Sequence, residues 1–360
     1  MADAMVRELR TVKILKGHMM TAARETYRAI HVAPSGHLEL TERPLLDPPA
    51  GHVRLRVEAC GICNTDARPV HPHPETEPGI VPGHEVVGVI DAIGPEVSGG
   101  WRVGQRVGVG FLAGHCGHCA ACRHGDFVHC QNQLQTGIGV DGGYAEYMTA
   151  RQNALVAIPD EFTSVDAAPL LCAGLTVYNG ILRANLRPGS TVAIQGIGGL
   201  GHLGIQYAHK MGMNTVAIAR GSAKEQVARE LGADHYVDAA DPDAAVAALH
   251  ALGGVDLIVA TAASGAASSA LIAALTTNGK LVIVGASADP ITVSTGDLIG
   301  RGIQVLGSLT GLPVENEENL AFSLRKGVRP VIEQAPLTEA PAAFARMQSG
   351  QARFRMVLVP

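Results

Sequence analysis

Residues 191–212 read TVAIQGIGGLGHLGIQYAHKMG: a short apolar strand, a turn with glycines at 196, 198 and 201, then apolar residues at helical spacing. No other stretch restricts the fold as much. Glycines in G-x-G-x-x-G spacing allow a tight turn, close approach of a pyrophosphate and close packing of helix on strand, and the helix N-terminus then faces the phosphates. The spacing alone is weak in a chain with 43 glycines; the strand before it and the helix after it supply the weight. A second strand, NTVAIAR (214–220), follows. The alternation continues with VDLIVATAA (255–263), an Ala-rich helix over about 266–275, KLVIVGA (280–286) and IQVLGSL (303–309), and the Ala-rich stretch 239–251 suits another helix. Strands alternating with helices predict a parallel sheet with helical crossovers.

This unit accounts for less than half of the 360 residues, so two domains are expected. The remainder carries the cysteines. CGHCAACRHGDFVHC (116–130) holds four of the seven, Cys116, Cys119, Cys122 and Cys130, with gaps of two, two and seven residues. Short C-x-x-C steps let backbone N–H groups turn around thiolates, and the longer step returns the fourth. Four thiolates with no open position describe a structural zinc site. An iron–sulfur cluster is the rival, but the bacterial ferredoxin run has a shorter last gap and a following Pro, where this chain has Gln131. The shell is complete without His115, His118, His124 and His129, which read as solvated loop residues.

Two further stretches, CGICNTD (60–66) and PGHEVVGVI (82–90), each lie beside a strand-like run, so Cys63 and His84 meet if those runs are neighbours. APLLCAGLTVYNG (168–180) places Cys172 at a helix start. Two Cys and one His, with a fourth position left to water, make a catalytic zinc set. Asp66 and Glu85, next to two of these residues, suit carboxylates that orient the ligands.

Net charge is −5, and no Lys/Arg run is present to hold nucleic acid or a membrane surface. No apolar stretch is long enough to span a bilayer. The first residues lack a secretory pattern. GHM before Met20 looks like a cloning junction, so residues 1–19 read as a tag or disordered extension, and TYRAIHVAPSG holds the first strand. Clustered thiols and no leader point to a reducing cytoplasm.

Taken together, CGICNTD, PGHEVVGVI, the four-cysteine segment, GGYAEY (142–147), PLLCAGLTVY and GIGGLGHLGIQYA resemble the zinc-dependent alcohol dehydrogenases of the medium-chain dehydrogenase/reductase superfamily, from about Tyr27 to Pro360. The resemblance implies an α/β protein: a GroES-like β-barrel catalytic domain over 20–168 with a structural zinc lobe at about 111–132, a Rossmann NAD(P)-binding domain over 169–306, and a return to the catalytic domain over 307–360. It implies two zinc ions. Cys63, His84 and Cys172, with Glu85 grouped beside them, hold the catalytic one; Cys116, Cys119, Cys122 and Cys130 hold the structural one. Cys60 matches no ligand position and reads as packing. Gly196, Gly198, Gly199, Leu200, Gly201 and Thr176 fall to the cofactor. The expected reaction is reversible hydride transfer between a small primary alcohol or aldehyde and the nicotinamide, in a homodimer or homotetramer. The alternative is a zinc-containing reductase of the same superfamily acting on another C=O, C=C or C=N bond.

Thr65, two residues after Cys63, is similar to the family hydroxyl that contacts the substrate oxygen and starts a proton relay. Two positions depart from the family pattern. Arg68 stands where many relatives have a relay His, and cannot act as a base near neutral pH; the last step then goes to water, or to His71 or His73. Asn64 stands where relatives often carry His or Arg against the pyrophosphate. Phe111 resembles an aromatic of the substrate pocket, and an ordinary core Phe is an equal reading.

The cofactor preference reads as NADP over NAD. An NAD site has Asp or Glu at the end of the second strand, on the ribose 2′-OH. Here the strand ends at Ala219 and Arg220, followed by Ser222 and Lys224. The acid is absent, and Arg suits a phosphate through its fork of donors. The competing reading leaves both cations solvated, with Lys224 paired to Glu225.

Overall fold

The computed structural model describes residues 25–70 and 79–360. The expected extension at 1–19, and His71 and His73, lie outside them. Strands β1 (Thr26–Val32) and β2 (Leu38–Pro44) form an antiparallel hairpin. Next come β3 (His52–Gly61), β4 (Glu85–Ile93), β5 (Arg106–Val109), β6 (Tyr147–Arg151) and β7 (Leu155–Ala157). HVRLRVEACG alternates, so Val53, Leu55 and Val57 point into the core while Arg54 and Arg56 point outward.

The second unit is made of β8 (Thr191–Gln195), β9 (Asn214–Ala219), β10 (His235–Asp238), β11 (Val255–Ala260), β12 (Leu275–Ile283) and β13 (Gln304–Gly307). They form one parallel sheet in the order β10-β9-β8-β11-β12-β13. Val192, Ile194, Leu257 and Val259 belong to near-continuous buried runs, as a sheet covered on both faces requires. The order reverses between β8 and β11, and in such sheets the crevice beyond the carboxyl ends at that point takes the ligand. β12 starts five residues before the expected KLVIVGA, because the β-branched pair Thr276–Thr277 lengthens the strand. The helix before it correspondingly stops at Leu271.

β14 (Ile332–Pro336) and β15 (Arg355–Val359) return to the first sheet, whose order is β14-β15-β3-β4-β5-β7, with β6 also on β3. The chain's last strand thus lies antiparallel to β3, with Leu358 opposite Cys60. Cys60 is fully buried in this core and belongs to neither group of potential metal ligands, as its packing role requires.

A buried histidine ties the two units together. His202, on the helix Gly201–Lys210 after the glycine turn, donates from Nδ1 to the Gly198 carbonyl at 3.0 Å and accepts at Nε2 from the Val331 N–H at 3.2 Å. Its ring stacks on Phe354. Burial pushes it down to about 3, which keeps the neutral tautomer these bonds need. One turn on, Gln206 exchanges hydrogen bonds with the Arg329 backbone. Among the described residues no single helix is long and apolar enough to cross a membrane.

Candidate active site and metal centres

The register of β3 and β4 assembles the first donor set. Gly61 lies opposite Glu85, so Cys63, just past the end of β3, meets His84, just before β4. Cys172 arrives from the far side, at a break between the 3-10 turn Ala168–Leu171 and the helix Ala173–Leu182. The ligand atoms of Cys63, His84, Glu85 and Cys172 all lie within 4.8 Å of one another, and all four residues are buried.

Asp66 aims the imidazole. Its Oδ1 is 2.8 Å from His84 Nδ1, while Oδ2 accepts from the Cys63 N–H at 2.9 Å and from the Tyr144 hydroxyl at 2.8 Å. That leaves His84 Nε2 fully buried without a hydrogen-bond partner, an arrangement that asks for a cation. The hydrogen bond from Cys172 holds the Cys63 thiol well below its ordinary value, and the same contact pushes Cys172 well up. Two sulfurs this close share a proton or a cation. Two thiolates and an imidazole fit zinc. Glu85 differs from them, because Arg355 binds both of its carboxylate oxygens. Burial still pushes Glu85 up to about 7 against that charge.

The second set has the spacing of a closed site. Sulfur–sulfur distances are 4.0 Å for Cys116–Cys122, 3.9 Å for Cys119–Cys130 and 3.6 Å for Cys116–Cys130. Sulfurs about 2.3 Å from a tetrahedral zinc stand about 3.8 Å apart. All seven cysteines are free. Backbone N–H groups of Cys116, Cys119 and Gln131 donate to these sulfurs, as thiolates require. His118, His124 and His129 are exposed, as expected. His115 is not a solvated residue: it is half-buried and stacks on Phe127 with centroids 4.2 Å apart, because its ring covers the apolar side of the cluster.

Above the first set lies a cavity of about 260 Å³ lined by Cys63, Thr65, Phe111, Cys172 and Thr176. Phe111 meets the His84 ring edge-on at 5.4 Å, so it is buried and a pocket wall at once. Arg68 sits at this cavity too and donates to Gln135 Oε1 at 2.9 Å. Leu200 and Asn64 belong both to this wall and to that of a groove of about 440 Å³, so the two spaces adjoin. Gly196, Gly198, Gly199 and Lys224 line the groove. Gly201 packs the helix on the turn: a Cβ there would lie 1.7 Å from the Gly196 carbonyl oxygen. A Cβ on Gly198 would meet nothing within 4 Å, because that position faces the open groove.

At the end of β9, Arg220 and Ser222 are exposed. Lys224 does not pair with Glu225, which instead binds Arg229; its Nζ donates to the Ile197 carbonyl at 2.7 Å.

Known proteins share this arrangement. Residues 49–160 match the alcohol dehydrogenase GroES-like domain, and residues 199–325 match the zinc-binding dehydrogenase domain. An alcohol dehydrogenase of Aspergillus sp. (strain MF297-2) is 42% identical over 335 residues, 93% of this chain and 98% of its own. The chain belongs to the zinc-binding alcohol dehydrogenase family. It is an oxidoreductase with a GroES-like unit and a Rossmann-type unit. Acetophenone reductase from Geotrichum candidum, solved with NAD, matches with a TM-score of 0.81 at 26% identity, covering 94% of this chain and 98% of that one. CAD from Helicobacter pylori, solved with NADP(H), matches with a TM-score of 0.82 at 25% identity, covering 94% and 99%.

Two residues of this alcohol dehydrogenase's site escaped the sequence reading. Tyr144 lies in GGYAEY, a motif that carried no role, and its hydroxyl holds Asp66. Arg355 opens an otherwise apolar last strand, and that single buried cation was its only signal.

Proposed function

We propose that this alcohol dehydrogenase interconverts a small primary alcohol and its aldehyde with NADP(H), holding one zinc at Cys63, His84 and Cys172 and a second at Cys116, Cys119, Cys122 and Cys130. The observation that carries the reading is the orphaned Nε2 of His84, set between two sulfurs under a cavity that adjoins the glycine-turn groove. Zinc supplies a Lewis acid at that wall when bound. The chain does the rest. Asp66 and Tyr144 fix the imidazole, Arg355 balances Glu85, and Phe111 with Leu309 shapes the space around the substrate carbon. Thr65 accepts the substrate's hydroxyl proton and passes it toward the mouth. Arg68 cannot take it there as a base, so it ends in water.

The division into a catalytic unit over 20–168 and 307–360 and a nucleotide unit over 169–306 belongs to this reading. So does a homodimer or homotetramer, which would cover the edge strand β13 and the exposed Ile299 and Leu309 beside it. A reducing cytoplasm suits seven free thiols. A panel of alcohols and aldehydes, assayed with both nicotinamide cofactors, tests the substrate class. Turnover of primary alcohols is the expected result, and activity confined to C=C or C=N substrates would contradict it.

Thr65→Val is expected to slow turnover by about 10²–10⁴-fold, the usual worth of a proton relay, while cofactor binding stays within about twofold. Unchanged turnover would mean that the proton leaves by another route.

The preference for NADP rests on the missing acid and on Arg220, Ser222 and Lys224. Arg220→Ala is expected to lower kcat/KM with NADPH by about tenfold or more, one charge-assisted contact, and to leave NADH nearly unchanged. A wild-type enzyme that prefers NADH would overturn the assignment.

A further inference from the structure

The helix Pro313–Lys326 turns a polar row into the core. A helix packed on a core normally points apolar side chains inward, but Asn316, Asn319 and Ser323, at i, i+3 and i+7, are all buried here. Buried amides and hydroxyls destabilise a fold unless each finds a partner. These are all partnered, and the bonds run one way. Tyr207, on the helix Gly201–Lys210 that follows the glycine turn, donates from its hydroxyl to Asn319 Oδ1. Burial pushes that phenol above its ordinary value, so it stays protonated and a donor. Its one proton is thus committed, and the Ser323 hydroxyl, 2.8 Å away, donates to its oxygen. Asn319 Nδ2 gives one hydrogen to Asn316 Oδ1 at 3.3 Å and the other to the Leu170 carbonyl at 3.0 Å. Asn316 Nδ2 ends the run on the Leu171 carbonyl at 2.9 Å.

That carbonyl belongs to the peptide that starts Cys172. A peptide unit is planar, so an amide that holds the Leu171 oxygen also holds the Cys172 nitrogen and Cα. Only rotations about the N–Cα and Cα–Cβ bonds then separate it from the sulfur. The 3-10 turn Ala168–Leu171 stops at this point, and a helical turn that stops leaves its last carbonyls without donors of its own. On the other side, the Cys172 carbonyl accepts from the Thr176 N–H at 2.9 Å and opens the next helix. The surroundings are tight: a Cβ on Gly110 would lie 3.0 Å from the Leu171 oxygen and 3.6 Å from Asn316 Nδ2. We propose that Asn316, backed by Asn319 and Tyr207, is a positioning residue for Cys172, holding its sulfur where one zinc ion can meet Cys63, His84 and Cys172 together. The inference rests on the assignment of zinc to those three residues. Successive donors polarise one another in a buried run, so the bond on Leu171 draws on the whole row. Because Tyr207 belongs to the helix of the glycine turn, the row also ties that helix to the metal ligand.

The test is zinc release from the full chain to a chromogenic chelator, followed beside a thermal melt. The variants are Asn316→Leu, which keeps the volume without the donor, and Asn316→Ala, which cannot clash. Leu320→Ala, at a fully buried position of the same helix outside the polar row, is the control for lost stability. Cys63→Ser, expected to keep only the four-cysteine ion, shows which release belongs to which site. Both Asn316 variants are expected to release the ion of Cys63, His84 and Cys172 about tenfold faster or more, while the four-cysteine ion leaves at the wild-type rate. Leu320→Ala should melt lower and release both ions as wild type does. Reloaded with cobalt(II), the Asn316 variants should show visible bands displaced from those of wild type, and Leu320→Ala should not. Wild-type release and wild-type bands in the Asn316 variants would overturn the proposal. So would an equal acceleration at both sites, or a Leu320→Ala protein that loses the ion as fast as they do, since either would mark lost stability and not positioning. A wild type that releases only the four-cysteine ion would fail the zinc assignment itself, and that result appears before any Asn316 variant is compared.

Discussion

Cys63→Ser is expected to leave a folded protein whose turnover is lower by about 10³-fold or more. The site asks for a cation at one point, between Cys63, His84 Nε2 and Cys172. Removing one thiolate leaves an imidazole and a single sulfur, too few donors for a catalytic zinc that normally takes three protein ligands. A thousandfold is about 4 kcal/mol of transition-state stabilisation, within the several kcal/mol that a Lewis acid contributes. The fold should survive, because the side chain lies at the end of β3 and the surrounding core, built on Val86, Ile62 and Tyr144, does not depend on it. The measurement is kcat on the best alcohol beside a thermal melt. Turnover within tenfold of wild type would remove this set from the chemistry.

Cys116→Ser should do the opposite, lowering stability more than chemistry. The four-cysteine lobe has a meagre apolar core of its own: Cys119, Cys122 and Cys130 are buried, with Cys116, Ala121 and Phe127 partly so. It contains one four-residue helix, Ala120–Arg123. Such a segment cannot order itself by burial, so metal binding supplies its folding free energy. The expected loss is on the order of 3 kcal/mol or more, seen as a lower melting temperature and as proteolytic cleavage within 116–130. A variant as stable and as protease-resistant as wild type would show that the lobe is held by packing alone.

How much of this was legible in the sequence depended on distance along the chain. The nucleotide unit was readable because each strand, turn and helix is contiguous, and G-x-G-x-x-G sits between β8 and its helix. The four-cysteine lobe was readable because its ligands lie within fifteen residues. Cys63 and His84 needed only the adjacency of two strand-like runs. Arg355 was not readable: its partner Glu85 is 270 residues away, and pairing required knowing that the last strand lies against β3. Tyr144 was hidden for the same reason, 78 residues from Asp66. His115 looked like its three exposed neighbours, and only the fold turns its ring onto Phe127. The boundary of β12 slipped because Thr276 and Thr277 suit a strand as well as a turn.

Two metal centres in one chain are proposed to divide the work, one for chemistry and one for structure. The most direct test is the zinc content of freshly purified, active enzyme, measured per chain beside activity, for the wild type and for Cys63→Ser. Two zinc ions are expected in the wild type and one in the variant, with activity following the ion that is lost. Active wild-type enzyme with one zinc or none, or a Cys63→Ser protein that keeps both ions, would contradict it.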